Sequence, residues 1–199
     1  MELVRIQFDG GWVGVRDLAE SDIEHFVSYW HDGGADLEFL GINLERLGSR
    51  EDTRARFRAL CRREGGACYT VFQDDRVIGY TNINIDGRRH GYVHVHLTDP
   101  DARGRGILST VFAHALPVIA RSVLDELSID GLVLETRTRN LGITRVVRKM
   151  GLRPQRTAYL TDPDGLAGPG EFHVFVLDRA HLDALTETDA LTETVEAAG

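Results

Sequence analysis

Two neighbouring segments carry chemistry by residue type and spacing. In Tyr92-Val93-His94-Val95-His96-Leu97 polar and apolar residues alternate strictly. That is the two-residue period of a strand, which points both imidazoles to one face and Val93, Val95 and Leu97 to the other. Imidazole titrates near neutrality, so the face offers a base for an ammonium. Together with His90 it also offers three nitrogen ligands to a metal. The second segment follows at once: Asp99-Pro100-Asp101-Ala102-Arg103-Gly104-Arg105-Gly106, then an apolar-periodic helix over about 107–127 that includes Pro117. A glycine-rich loop opening a helix presents free N–H groups and the positive end of the helix dipole to an anion. Arg103 and Arg105 add charge at the rim, enough for a di- or triphosphate. The glycines fit neither Gly-x-x-x-x-Gly-Lys-Ser/Thr nor Gly-x-Gly-x-x-Gly. The plainer alternatives are a helix start with surface arginines, histidines half-buried on a strand, and Asp99 as the cap of the turn before Pro100.

The flanking elements must position these groups. Residues 3–8 and 12–16 flank Asp9-Gly10-Gly11 as a hairpin, and a helix starts at Ser21-Asp22. Its apolar stripe is Ile23, Phe26, Val27 and Trp30, and His31-Asp32-Gly33-Gly34 stops it. A second helix runs from Ser49 to Gly65-Gly66 through Phe57 and Leu60. Strands over 68–72 and 77–85 turn at Asp74-Asp75, and a strand over 132–136 makes residues 92–136 a β-α-β unit. A short helix over 142–150 ends at Gly151, followed by strands over 157–160 and 172–177 joined by a long loop beginning Asp162-Pro163-Asp164-Gly165. The expected fold class is α/β, a mixed and mostly antiparallel sheet flanked by helices.

With 199 residues, 42% hydrophobic and 27% charged, the chain can bury a core without staples. One domain over 1–182 is expected, followed by an acidic, disordered tail over 183–199. Five of the net eight negative charges lie in that tail, where Asp-Ala-Leu-Thr-Glu-Thr occurs twice, a six-residue repeat that keeps no helical face. Lys149 is the single lysine among 23 basic residues, and no basic run supports nonspecific phosphate binding, so no nucleic-acid partner is expected. No uninterrupted run of about 18 apolar residues suggests a membrane span. Cys61 and Cys68, seven apart, read as reduced thiols in a cytoplasmic protein.

The segment Arg103-Gly104-Arg105-Gly106-Ile107-Leu108 resembles the cofactor motif of the GNAT superfamily of acyl-CoA-dependent N-acyltransferases: Gln or Arg, two residues, Gly, one residue, then Gly or Ala. Leu108 departs from the last place. Asn140-Leu-Gly-Ile-Thr-Arg-Val-Val-Arg-Lys-Met-Gly151-Leu152 is similar to the family's Asn-led helix, and Val77-Ile78-Gly79-Tyr80 to its third-strand signature. Arg145-Val146 is similar to the branch that acetylates ribosomal-protein N-termini, although Ile143 stands where that branch usually has serine. The resemblance implies a sheet splayed between the fourth and fifth core strands, here 92–97 and 132–136. It further implies acetyl-CoA as co-substrate, its diphosphate on the amides from Gly104 to Ile107, and its pantetheine arm paired with the open strand edge. Backbone N–H groups near Leu97 and Thr98 would polarise the thioester, and Asn140 would touch the arm or hold the splay open.

By the same resemblance Trp30, His31 and Asp32, with Glu38 and Phe39, fall where the acceptor loop lies, ready to receive a cation. The acceptor is then a small-molecule or peptide amine, attacked directly in a ternary complex, with homodimer formation left open. The family often places a glutamate base in the fourth core strand; this strand has none, so the role passes to His94 or His96, with Asp99 a weaker candidate. The tyrosine that often protonates the departing thiolate is replaced by Val147, leaving Tyr159, Ser109 or water. Two rivals remain: an acyl-CoA sensor without turnover, and a metalloprotein built on His90, His94 and His96.

Overall fold

In the computed structural model, which describes residues 1–9, 11–33, 36–85 and 89–184, alternating apolar segments form strands β1 (Glu2–Phe8), β2 (Gly11–Asp17), β3 (Gly66–Gln73), β4 (Arg76–Ile85), β5 (His90–Leu97), β6 (Gly131–Arg137), β7 (Arg156–Leu160) and β8 (Gly170–Asp178). Helices are α1 (Ile23–His31), α2 (Leu37–Leu40), α3 (Leu44–Leu47), α4 (Arg50–Cys61), α5 (Ile107–Glu126) and α6 (Leu141–Lys149). The strands make one sheet in the order β1-β2-β3-β4-β5-β6-β8-β7. The described ladders are antiparallel except β5 with β6, which α5 connects as a parallel crossover.

Because side chains alternate across the sheet, each face acquires its own core. On one face α5 lays Ile107, Val111, Ala115 and Ile119 over Val13, Val15, Val71 and Val93. On the other, α1 and α4 bring Phe26, Trp30 and Phe57 onto Tyr80 and Cys68. A buried carboxylate ties the second layer down. Asp22 accepts two hydrogen bonds from Arg16 at 2.6 and 2.8 Å, one from the Thr70 hydroxyl at 2.7 Å and one from the Ala19 N–H at 3.1 Å.

The parallel ladder is short. Its partners are His90 with Gly131, Gly91 with Leu132 and Tyr92 with Val133, after which β5 stays with β4 and β6 with β8. The two strands therefore part beyond Tyr92, leaving a notch between their inner edges.

Three features depart from the sequence expectations. Helices α2 and α3 span four residues each, too few for a 3.6-residue period to register, and are set by the caps Asp36 and Asn43. Helix α5 is long and apolar enough, by length and composition, to cross a membrane, with 56% of that window buried against the sheet. The scattered Ser, Thr, His and Pro residues that interrupted a strict apolar run do not lower its mean hydropathy enough to exclude it. Finally, residues 179–184 begin a helical turn that buries Leu182 in the α5 core, while the expected acidic tail from 185 onward lies outside the described residues.

Candidate active site

At the start of α5, Gly104 and Gly106 have φ of +74° and +85°, the left-handed region where a side chain is strained. A Cβ on either would meet nothing within 4 Å, so the backbone lies open to a ligand. Gly106 is the N-cap and no side chain caps the helix; the first backbone bond runs from the Thr110 N–H to the Gly106 carbonyl at 3.1 Å. The amides of Ile107, Leu108 and Ser109 are thus left to an external acceptor. Fully buried Ile107 anchors this end, with partly buried Leu108 beside it. Arg103 folds back, its guanidinium donating to the Leu97 carbonyl at 3.1 and 3.3 Å, and Arg105 pairs with exposed Asp9 at 2.8 Å. The loop is pinned to the end of β5, and its amides form an anion cradle that suits a diphosphate.

The notch continues from this cradle. The Thr98 N–H donates to the Ile78 carbonyl at 2.9 Å, and pairing alternates along an antiparallel ladder. The Leu97 and Val95 amides therefore point away from β4, toward the open side. This corrects the expectation for Thr98: its amide is spent on β4 and its hydroxyl bonds His25 Nε2 at 2.8 Å, so Leu97 alone of the pair presents an N–H to the notch. Asn140 caps α6, its Oδ1 accepting from the Ile143 N–H at 3.4 Å, and lines the cavity opposite.

That cavity has a volume of about 450 Å³ and brings His94 and His96 together with side chains from β4, β6 and the loop 161–169. His94 Nε2 lies 2.7 Å from Asp164 Oδ2, and the same oxygen accepts from Asn84 Nδ2 at 3.2 Å. Asn82 steadies Asn84 at 2.9 Å, and the Asp164 N–H donates to Glu135 Oε2 at 3.0 Å. Burial alone would push the Asp164 carboxyl up, but the His94 and Asn84 hydrogen bonds outweigh it and hold the group below the usual range. Glu135 moves the other way, raised by burial and by the charge of Asp164 against the relief of one backbone bond. With Nε2 donating to Asp164, Nδ1 is the His94 nitrogen left to accept a proton.

His96 is a different kind of residue. Its ring stacks on Tyr80 at 5.0 Å and meets the edge of Trp30 at 4.9 Å. Burial, then the neighbouring His94 and Arg103, lower its pKa to about 3, which makes it a poor proton acceptor. Asp99 lies outside the cavity lining. It caps the turn at Pro100 through the Asp101 N–H at 2.9 Å and pairs with Arg76, which corrects its candidacy as a base. Of the acceptor candidates, Trp30 lines the cavity, buried, with its indole N–H on Tyr80 at 2.8 Å. His31 and Asp32 do not: His31 bonds Thr53 at 2.9 Å and Asp32 pairs with Arg50, so both fasten α1 to α4. Val147 is buried, and Tyr159 stands 68% exposed on the edge strand β7, outside the cavity lining. Among the described residues no three His, Cys, Asp or Glu side chains converge on a metal position.

Asp164, Glu135 and Asn84 are the site residues that sequence reasoning missed. Asp164 sits in Asp-Pro-Asp-Gly, which reads as a turn whatever else it does. Glu135 left a signal: a carboxylate directly after Leu132-Val133-Leu134 in a strand that must be interior.

Residues 36–152 match the sequence model of the Acetyltransferase (GNAT) family. No curated protein matches the chain by sequence. Among solved structures, the RimL ribosomal L7/L12 alpha-N-protein acetyltransferase in complex with coenzyme A superposes with a TM-score of 0.64 at 17% identity, over 88% of this chain and 98% of that one. The ribosomal-protein-S5-alanine acetyltransferase from Vibrio fischeri gives 0.62 at 16%, over 88% and 97%. The microcin C7 self-immunity acetyltransferase MccE, in complex with acetyl-CoA and AMP, gives 0.60 at 11%, over 83% and 92%. At these identities the likeness is one of fold.

Proposed function

Since the chain belongs to the acetyltransferase (GNAT) family, we propose that it transfers an acetyl group from acetyl-CoA to an amine by direct attack in a ternary complex, with His94 as the base. The observation that carries the assignment is the His94–Asp164 pair at 2.7 Å on the wall of the cavity beside the notch. Acetyl-CoA supplies an acyl group activated as a thioester.

The chain's own residues have separable tasks. The amides of Ile107, Leu108 and Ser109 receive the diphosphate, and the outward amides of Val95 and Leu97 receive the pantetheine arm as an added strand would be received. The Leu97 N–H is placed to donate to the thioester oxygen as negative charge develops there. His94 Nδ1 takes the proton that an ammonium must lose before it can attack, while Asp164 fixes the tautomer and stabilises the imidazolium that results. Glu135, anchored by the Asp164 amide, draws the ammonium toward that nitrogen. With Val147 buried and Tyr159 on an outer edge, solvent protonates the departing thiolate. The His94–Asp164 pair, half-buried on the cavity wall, favours transfer over binding alone because it gives the site an oriented proton acceptor.

Thiol release from acetyl-CoA across a panel of primary amines tests the proposal. Amine-dependent release that falls about a hundredfold in His94→Ala, with acetyl-CoA affinity unchanged, is the expected result. Acetyl-CoA binding without release on any amine would favour the sensor instead.

A further inference from the structure

The chamber above His94 is roofed. The Asn43 N–H donates to the Leu166 carbonyl and the Gly168 N–H to the Gly41 carbonyl, each at 2.8 Å, and Ile42 bridges to Ala167. Arg46 donates to the carbonyls of Pro163 at 2.8 Å and Gly165 at 3.1 Å, and Arg137 to those of Gly41 and Gly168 at 3.1 and 2.9 Å. The segment 41–46 and the loop 161–169 are thus woven into one cover. About 450 Å³ beneath it must hold the acyl end of the donor as well as the acceptor, room for a small molecule and not for a folded protein's terminus.

The lining is sorted by polarity. Beneath the cover Leu40, Ile42, Leu47, Phe57 and Leu166 present an apolar surface continuous with the α1–α4 core. The acid–base groups cluster at one side, where Asp164 of the cover meets His94, Asn84 and Glu135 of the sheet. A molecule complementary to this lining would set a polar head beside His94 and Asp164 and an apolar body against Leu40, Ile42, Leu47, Phe57 and Leu166. Two arginines reach the wall: Arg137, whose Nη2 donates to backbone carbonyls and whose guanidinium lies over the face of Phe172, 5.0 Å away, and Arg56, which stands at the mouth shared with a second cleft, where its charge acts on Asp52.

A second, open cleft of about 1030 Å³ adjoins the chamber, and Arg56, Glu135, Asp164 and Gly165 line both. Its walls carry the carboxylates of Glu45, Asp52, Glu135, Asp162 and Asp164 against Arg46 and Arg56, with Arg46 already paired to Asp162. A mouth of that sign concentrates cations and repels carboxylates and phosphates.

We propose, resting on the acetyl-transfer reading, that the acceptor is a small primary amine with an apolar body of about aromatic size and no anionic group, admitted through the acidic cleft and seated under Leu166. Three probes are set against 2-phenylethylamine: phenylalanine, which adds a carboxylate; putrescine, in which a second ammonium replaces the apolar body; and an alanine-led hexapeptide, which presents a peptide N-terminus. Thiol release should give 2-phenylethylamine a kcat/KM at least about tenfold above the other three. Leu166→Asp should raise its KM at least about tenfold and leave acetyl-CoA affinity unchanged; Glu45→Lys should raise KM less, by an amount that shrinks with salt. Equal or better transfer to phenylalanine, putrescine or the hexapeptide overturns the proposal. Calorimetry of the four probes on the full chain saturated with coenzyme A separates the two readings. Preferential binding of 2-phenylethylamine without turnover sinks acetyl transfer and upholds the acceptor class, whereas absence of any preference sinks the acceptor class itself.

Discussion

Asp164 Oδ2 sits 2.7 Å from His94 Nε2 although seventy residues separate them in sequence, and Gly165 is what allows the approach. Gly165 has φ of +73°, and a Cβ there would lie 2.7 Å from Cε1 of the same imidazole. One dipeptide therefore both binds and brackets the ring. Asp164→Asn should lower kcat about tenfold or more by removing the charge that stabilises the imidazolium, Asp164→Glu should recover part of it, and Gly165→Ala should also lower kcat by displacing the ring. Steady-state kinetics with a saturating amine checks all three, with acetyl-CoA affinity as the control that must not move.

The fold was legible where a period or a stop signal repeated. The strand containing His94 and His96 showed strict alternation, α5 its apolar repeat after a glycine loop, and α4 its Ser49 cap, whose hydroxyl accepts from the Asp52 N–H. The site was legible only in part, because pairing across a sheet and a loop crossing it leave no local pattern. His94 was visible, but its difference from His96 was not. That difference comes from Tyr80 and Trp30 enclosing one ring and Asp164 approaching the other. For His31 and Asp32 the family resemblance gave only a place in the chain, and a polar helix end there looks alike whether it faces a ligand or, as here, a neighbouring helix.

The anion cradle makes a separable prediction. Gly106→Ala puts a side chain at φ of +85° without a charge, and Gly106→Asp adds a carboxylate beside the expected diphosphate. Calorimetry with acetyl-CoA should show about a tenfold or greater loss of affinity for Asp and a smaller one for Ala. Equal affinities across all three forms would place the diphosphate elsewhere.

His96 makes the folded chain sensitive to mild acid. Burial, His94 and Arg103 hold its pKa near 3, whereas an unfolded histidine titrates at about 6.5. Between those values the unfolded chain binds a proton that the folded chain refuses, so stability falls as pH drops through that window and stops falling below it. Going from pH 7 to pH 5 this one site costs up to about 2 kcal/mol. His96→Phe, a ring of similar size among Tyr29, Trp30 and Tyr80, should abolish that share of the loss in urea titrations at the two pH values.

The division at 182/183 is a proposal from composition, and Leu182 tests it. Buried to 1% in the α5 core, Leu182 should cost about 2–5 kcal/mol when cut to alanine. Ending the chain after Ala184 should leave the melting temperature and acetyl-CoA affinity nearly unchanged, since the remaining residues offer little apolar surface to bury. A loss of either on truncation would show that the acidic segment docks.

Asp22 gives the last prediction, one of stability rather than chemistry. Burial would raise its carboxyl, but hydrogen bonds from Arg16, Thr70 and Ala19 outweigh that and hold it below the ordinary value. Its contribution is therefore complete above the unfolded aspartate pKa of about 3.9, and is lost as pH falls through the lower folded value. Near neutral pH, Asp22→Ala strands a half-buried guanidinium and leaves the fully buried Thr70 hydroxyl without an acceptor, an expected loss of about 3–5 kcal/mol. Asp22→Asn keeps the Thr70 bond and should lose less. Urea unfolding should show the midpoint falling in that order with the slope unchanged, and the wild-type advantage over Asp22→Asn should shrink only below about pH 4. An advantage that instead faded between pH 7 and 5 would mean that Arg16 and Thr70 do not hold this carboxylate ionised.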